Sequence, residues 1–213
     1  MNTAELESRL ADGAFRVALV GMSNVGKTSG ARTLARERGF EHVEVDARIM
    51  RELGLADVDA LAKWLGYPGS EGYPERERKY LDMEEKHTIS ACDTPGSTVL
   101  DTTGSVVHLS DEALEKLRSV FLVVHLDAGG EVPNALMERY FAVPKPVIWD
   151  GYYSARDKES MEDALVRCYP GLLSGRLKSY RQIAHVNIPA HKISRSDGGS
   201  IIRAIRSHLS SGE

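Results

Sequence analysis

The chain has 213 residues, 42% of them hydrophobic and 27% charged, and its 27 Lys and Arg against 31 Asp and Glu give a net charge of −4. This composition is typical of a globular domain with a sizeable core and gives no sign of a strongly basic nucleic-acid surface. Cys92 and Cys168 are too few for a disulfide framework and fit no metal-ligand spacing. With no signal peptide and no apolar run long enough for a membrane span, we expect a cytoplasmic protein without membrane or nucleic-acid partners.

Short apolar strands and helices alternate along the chain. The first half predicts a helix over 3–11, a strand over Phe15–Val20, a helix over 27–38 that Gly39 ends, a strand over His42–Val45, helices over Ala47–Leu53, Val58–Leu65 and Glu75–Lys86, and a strand over Thr98–Asp101. The second half predicts a helix over Asp111–Leu117, a strand over Ser119–Leu126, helical segments over 131–141 and 159–184, a strand over His185–Ile188 and a helix over Ser200–Leu209. This alternation indicates an α/β protein whose parallel sheet is covered by helices on both faces.

A phosphate-binding motif follows the first predicted strand. The segment Gly21-Met-Ser-Asn-Val-Gly26-Lys27-Thr28 matches G-x-x-x-x-G-K-[ST] and opens a predicted helix. Backbone N–H groups and the helix N-terminus would surround the phosphates of a nucleotide, with Lys27 on the β- and γ-phosphates and Thr28 on Mg²⁺. The predicted nucleotide-binding residues are Gly21, Ser23, Asn24, Val25, Gly26, Lys27, Thr28 and Ser29.

One interpretation of this motif is a GTP-binding switch protein. The string GMSNVGKTS resembles the first motif of bacterial translation-factor-type GTPases, and Asp93-Thr-Pro-Gly96 resembles their D-x-x-G motif. However, no N-K-x-D or T-K-x-D element follows the strand that ends at Leu126, and Asp, Pro and Gly are also common in ordinary turns. The switch protein therefore stands as an alternative.

A second resemblance covers nearly the whole chain from Asp46 onward. Six segments occur in the order found in the shikimate kinase family of P-loop proteins: Asp46–Glu52 for D-x-D-x-x-I-E, Leu55–Gly66 for the following helix, Glu71–Leu81 for G-E-x-x-F-R-x-x-E, Val99–Val107 for the glycine-rich substrate loop, Lys145–Ile148 for R-P-L-L, and Arg176–Ala184 for R-x-x-x-Y-x-x-x-A. The resemblance implies a single P-loop domain over 1–213 with five parallel strands in the order 2-3-1-4-5 and a lid insertion at about 142–158. It also implies ATP- and Mg²⁺-dependent phosphorylation of a hydroxyl on a small molecule.

The resemblance assigns roles to several charged residues. Asp46 would orient the acceptor hydroxyl and help to hold Mg²⁺, although an Asp here would also suit the N-cap of a helix beginning at residue 47. Arg176 would bind a carboxylate of the substrate, Lys145 would be the lid cation, and Arg139 would lie near the adenine. Independently of the family, Asp101 ends an apolar strand in a position suited to a Mg²⁺ contact, or to a bond with its own loop.

The departures from the family pattern lie on the acceptor side. Arg48 stands where the motif has its second acid, Tyr73-Pro74 replaces the aromatic–Arg pair unless Arg76 or Arg78 substitutes, and Thr103-Gly104-Ser105 replaces a glycine triplet. The hypothesis is therefore a small-molecule acceptor other than shikimate, anionic ones included, because differential binding sets specificity. The candidate acceptor-binding residues are Asp46, Arg48, Arg76, Thr103, Gly104 and Arg176.

Two further interpretations stay open. The altered acceptor side would also suit a nucleotide-binding protein with little catalysis. The aromatic residues Tyr140, Phe141, Trp149, Tyr152 and Tyr153 would either cover an edge of the core, which general burial preferences favour, or form a lid that stacks on a ligand.

Overall fold

A five-stranded parallel sheet in the order β2-β3-β1-β4-β5 forms the centre of the fold, as predicted. The computed structural model describes residues 1–129, 146–194 and 196–211. The strands are β1 (Arg16–Val20), β2 (Glu41–Glu44), β3 (Thr98–Asp101), β4 (Leu122–Asp127) and β5 (Val186–Pro189). Because all five run in the same direction, their carboxyl ends form one edge of the sheet, where ligands of such folds bind.

Helices cover both faces of this sheet. They are α1 (Thr3–Ala11), α2 (Lys27–Arg38), α3 (Val45–Leu53), α4 (Val58–Leu65), α5 (Tyr73–Ala91), α6 (Asp111–Val120), α7 (Met161–Ile183) and α8 (Gly199–Ser211). Side chains alternate along each strand, so β1 sends Val17 and Leu19 into one apolar cluster and Ala18 and Val20 into the other. The first cluster includes residues of α1, α2 and α8, and the second includes residues of α3 to α7.

Several boundaries differ from the predicted ones. The strand β2 ends at Glu44 and α3 begins at Val45 with no loop between them, so the prediction of Asp46 as an N-cap is wrong. Helix α5 is longer than predicted, because Pro74 is accommodated in its first turn, where no backbone N–H is needed. None of the described helices is long and apolar enough to cross a bilayer.

The predicted helical segment 131–141, the residues Arg139 and Lys145, and the first part of the lid insertion lie outside the described residues. Within the described part, Trp149 is 1% exposed and packs against the rings of Tyr153 and Tyr169. Trp149 therefore packs into the edge of the core, the first of the two alternatives for the aromatic residues.

Candidate functional site

The loop between β1 and α2 has the backbone path of a phosphate-binding loop. Gly21 has φ +142°, and a Cβ there would lie 2.8 Å from the carbonyl oxygen of Leu126. Gly26, at the N-terminus of α2, has φ +105°, and Asn24 also has a positive φ of 66°. Both glycines are thus needed for the turn itself, as the motif predicts. The N-terminus of α2 faces the same loop and supplies backbone N–H groups and a positive dipole end.

Lys27 lies folded over this loop. It is 7% exposed, and its Nζ donates to the carbonyl oxygens of Gly21 at 2.7 Å and Met22 at 2.9 Å. These carbonyls hold the ammonium group where the terminal phosphates of a nucleotide would sit, so a nucleotide could exchange with them as its partner.

A cavity of about 490 Å³ extends from this loop across the carboxyl edge of the sheet. The predicted site residues that line it are Ser23, Asn24, Gly26, Lys27, Thr28, Ser29, Asp46, Thr103, Gly104 and Arg176. Residues predicted for nucleotide, metal and acceptor therefore share one space, although they come from four separate parts of the chain.

A smaller cavity of about 290 Å³ lies on another side of the same loop. It is lined by Asn24, Val25 and Gly26 together with Ala128, Ala190, His191 and Ile193. The last three residues follow β5, a region to which the sequence motifs assigned no role. The mixture of apolar side chains and one imidazole suits a planar heterocycle.

Two residues of α5 that the sequence motifs did not indicate, Tyr80 and Glu84, make hydrogen bonds to the residues on the acceptor side of the larger cavity. The hydroxyl of Tyr80 donates to Oδ1 of Asp46 at 2.8 Å. One helical turn later, the fully buried Glu84 accepts hydrogen bonds from Thr103 Oγ1 and from Ser105 Oγ, the latter at 2.6 Å. These contacts fix the loop after β3 and the carboxylate of Asp46 relative to each other.

Burial changes the acidity of both carboxyl groups. Burial raises the pKa of Glu84 to about 7, although the hydroxyls of Ser105 and Thr103 oppose the rise. Burial also raises the pKa of Asp46, while the hydrogen bond from Tyr80 and the charge of Lys27 lower it. An Asp with a raised pKa is better suited to accept a proton from a substrate hydroxyl than an ordinary exposed one.

The buried Glu84 predicts a specific dependence of stability on pH. Between pH 4.5 and about 7 the folded protein holds this proton more tightly than the unfolded chain, so the free energy of unfolding should fall as the pH rises, by on the order of 3 kcal/mol from this group. Glu84→Gln, which cannot ionise, should remove this component from urea unfolding curves measured between pH 4.5 and 8. Replacement of the exposed Glu115 by Gln is the control, and identical pH dependence in wild type and Glu84→Gln would contradict the assignment.

Tyr73 and Pro74, which stand at the aromatic–Arg pair of F-R-x-x-E, are not among the described residues that line the cavity. The hydroxyl of Tyr73 donates to Oε1 of Glu77 at 2.7 Å and contacts the carbonyl oxygen of Val147 at 3.0 Å. Tyr80, two turns further along α5, lines the cavity, and Glu84 lies behind it with hydrogen bonds from the loop after β3.

Neither predicted replacement arginine is among the described residues that line the cavity. The guanidinium of Arg76 donates to the carbonyl oxygens of Leu65 and Glu71, both at 3.0 Å, and so holds the loop ahead of α5. Arg48 does not line the cavity either, whereas Glu44 does. Two acids with the spacing of D-x-D, Glu44 and Asp46, therefore line the cavity at the point where the chain passes directly from β2 into α3.

Asp101 has the geometry of a residue that contacts a cation or its water shell. It is 3% exposed, and neither carboxylate oxygen has a hydrogen-bond partner among the described residues. Its Oδ2 lies 3.9 Å from Nε2 of His42, and His42, Glu44 and Asp101 each offer one ligand atom within 4.8 Å of the others. A buried carboxylate without a partner is costly, so these oxygens fit a Mg²⁺ that Thr28 and a nucleotide would hold nearby.

Arg176, on α7, closes the other side of the cavity. It is 6% exposed; its Nε donates to His108 Nε2 at 3.0 Å and one terminal nitrogen donates to the carbonyl oxygen of Ile148 at 2.6 Å. A Cβ on Gly104 would lie 3.5 Å from the other terminal nitrogen and 3.4 Å from Ser23 Oγ. Gly104 therefore lies between Arg176 and the phosphate-binding loop, and the hydroxyl of Tyr180 donates to its carbonyl oxygen.

The D-x-x-G segment lies at the wrong edge of the sheet for a nucleotide switch. Asp93–Gly96 precedes β3, and β3 runs parallel to β1 with Arg16 opposite Thr98. The segment therefore lies near the start of β1, whereas the phosphate-binding loop follows its end. The carbonyl oxygen of Thr94, within this segment, instead accepts a hydrogen bond from the guanidinium of Arg16. The structure thus favours a turn, and the switch interpretation of this segment is wrong.

Comparisons with known proteins point to one family. No family model matches the chain. It is 27% identical over 123 residues to a shikimate kinase of Thermodesulfovibrio yellowstonii, a match covering 58% of this chain and 62% of the relative. It is 30% identical over 113 residues to shikimate kinase 2 of Dickeya chrysanthemi, covering 53% and 57%. The matched region thus spans less than two thirds of either relative.

The fold comparison extends over most of the chain. The shikimate kinase of Acinetobacter baumannii in complex with shikimate superposes with a TM-score of 0.65 at 22% identity, covering 92% of this chain and 96% of that one. The shikimate kinase of Bacteroides thetaiotaomicron gives a TM-score of 0.62 at 18% identity, with 92% and 98% covered. Part of this chain is therefore similar in sequence to shikimate kinases, and the chain shares their P-loop fold over 92% of its length.

Proposed function

We propose that this protein transfers the terminal phosphoryl group of ATP, with Mg²⁺, to a hydroxyl of a small molecule other than shikimate. The observation that carries the proposal is the single cavity that joins Lys27 and Thr28 to Asp46 and Arg176. The kinase relatives support phosphoryl transfer as the reaction class. The changed acceptor side supports a different acceptor, because Pro74 and Ser105 stand where the family pattern has arginine and glycine.

The nucleotide half requires little beyond the residues already described. The backbone of the Gly21–Thr28 loop would bind the phosphates, and Lys27 would leave its two carbonyl partners to contact the terminal ones. The smaller cavity beside Ala190 and His191 would receive the base. A bound Mg²⁺ would neutralise charge on the transferring phosphoryl group. Thr28 would hold it directly, and Glu44 and Asp101 would accept hydrogen bonds from its waters.

On the acceptor side, Asp46 would receive the proton of the attacking hydroxyl. Tyr80 already donates to Oδ1, so it orients the carboxylate and leaves Oδ2 for the substrate. Gly104 and the hydroxyl of Ser105 would contact further polar groups, held in place by Glu84. Arg176 has one terminal nitrogen directed toward Gly104, which suits an acceptor with one anionic or strongly polar group at that end.

The test combines nucleotide binding with turnover. Calorimetric titration with ATP and with GTP, both with Mg²⁺, should show preference for ATP. A coupled assay of ADP formation across hydroxylated carboxylic acids and polyols, with shikimate as reference, should then find an acceptor that raises the rate above ATP hydrolysis. A preference for GTP, or no acceptor-dependent turnover of tightly bound ATP, would instead support the switch protein or the non-catalytic nucleotide-binding protein.

A further inference from the structure

Arg176 is held by a chain of side chains that lies outside the cavity. Behind the guanidinium, His108 Nε2 accepts the hydrogen bond of Arg176 Nε at 3.0 Å, and His108 Nδ1 lies 2.8 Å from Oδ2 of Asp150. The side chain of His108 is 7% exposed and that of Asp150 is 51% exposed. The three groups therefore lead from the surface to Arg176, which lines the cavity beside Gly104.

This geometry determines the protonation of the imidazole. A guanidinium N–H can only donate, so His108 Nε2 must be the acceptor and carry no proton. The single proton of the neutral ring must then lie on Nδ1, where it is donated to Asp150. A second proton on Nε2 would set one N–H against another and place a positive ring 3.0 Å from the guanidinium. The contact is therefore compatible only with neutral His108.

The charged groups around His108 act in opposite directions. Burial is the largest influence on the pKa of His108 and lowers it, and the positive charge of Arg176 on α7 lowers it further. The negative charges of Asp150 and of Glu77, which is on α5, raise it. Glu77 Oε1 also accepts the backbone N–H groups of Trp149 at 2.5 Å and of Asp150 at 3.1 Å, so it fixes the segment that carries Asp150. Among the described residues, four further charged side chains of α5 line a second cavity that His108 also lines: Arg78, Asp82, Glu85 and Lys86.

We propose that His108 is the positioning residue of Arg176, and that Asp150 fixes the His108 tautomer that can do so. When His108 is neutral, Arg176 is held at two points, by the imidazole and by the carbonyl oxygen of Ile148, and its remaining terminal nitrogen faces Gly104. When His108 is protonated, the first of these contacts is lost and the guanidinium turns away from the second positive charge. The consequence that Arg176 then orients the acceptor rests on the proposed function. The coupling between His108 and Arg176 is independent of that function.

Nuclear magnetic resonance of the ligand-free protein tests the coupling. The ¹⁵N spectrum of the ring should show the Nδ1–H tautomer at pH 8, and the Nε–H of Arg176 should exchange slowly with water. As the pH falls through the titration of His108, the protection of this Nε–H, measured against the exchange rate of free arginine at the same pH, should drop roughly tenfold or more. In His108→Gln, whose amide oxygen can accept at the position of Nε2 without titrating, this protection should persist at low pH.

Further variants separate positioning from a general structural effect. Asp150→Ala should allow the other tautomer and speed the exchange at pH 8. His87→Gln, at a histidine of α5 that contacts Glu52 on α3 and does not line the cavity, should change neither signal. An Nε2–H tautomer at pH 8, or Arg176 exchange that ignores both the titration and the variants, would overturn the proposal. Because neither nucleotide nor acceptor is present, this result is independent of whether phosphotransfer is found.

Discussion

Lys27→Ala is expected to lower acceptor-dependent ADP formation by at least roughly a hundredfold, because the positive charge directed at the terminal phosphates is lost. The loop should keep its shape, since Gly21 and Gly26 set its backbone path and the ammonium group only bridges two carbonyls. The measurement is the same coupled assay with saturating ATP and Mg²⁺, together with calorimetric titration of ATP.

The control for this variant is Lys116→Ala, an exposed lysine on α6. It removes the same charge from the protein without touching the cavity, so activity and ATP affinity should match those of the wild type. Unchanged ATP binding and turnover in Lys27→Ala would mean that the loop does not hold the phosphates, and the proposed function would lose its basis.

Asp46→Asn should separate the chemical step from nucleotide binding. The amide has nearly the same shape and can still accept the hydrogen bond of Tyr80, but it cannot take a proton from the acceptor hydroxyl. We expect turnover to fall by about 10²–10⁴-fold, the usual range for loss of a general base, while the dissociation constant for ATP changes little. Single-turnover kinetics and calorimetry measure the two quantities.

The pH profile gives a second readout for Asp46. Because burial raises its pKa, the wild-type rate should increase with pH as the carboxyl group loses its proton, and the residual rate of Asp46→Asn should lack this limb. Asp59→Asn, at an exposed Asp in the first turn of α4, is the matched control. A full rate in Asp46→Asn would exclude a role for this carboxylate in proton transfer.

Local patterns were sufficient for the fold and for the backbone path of the Gly21–Thr28 loop. The alternation of apolar strands and helices predicted the parallel sheet, and its observed strand order agrees with the family resemblance. The Gly21–Thr28 motif is contiguous, and its function depends on backbone conformation, which two glycines and the start of a helix determine locally. Residues of this loop that are close along the chain are therefore also close in the structure, so the motif alone predicts their arrangement.

The acceptor half could not be read in the same way. Tyr80 and Glu44 line the cavity, whereas Tyr73 and Arg48 do not, because packing decides which side chains of a helix face the site. Arg76 was assigned to the cavity from its charge, yet it binds two carbonyl oxygens of a neighbouring loop.

The amino-acid sequence by itself determined the order of elements, the nucleotide loop and the candidates Asp46, Thr103 and Arg176. Only the tertiary structure decided that Glu84 supports the loop after β3, that the oxygens of Asp101 accept no hydrogen bond from the described residues, and that His108 lies behind Arg176. The physical reason is that burial, proton location and hydrogen-bond direction arise between residues far apart in the chain, and they exist only after the sheet and its helices have packed.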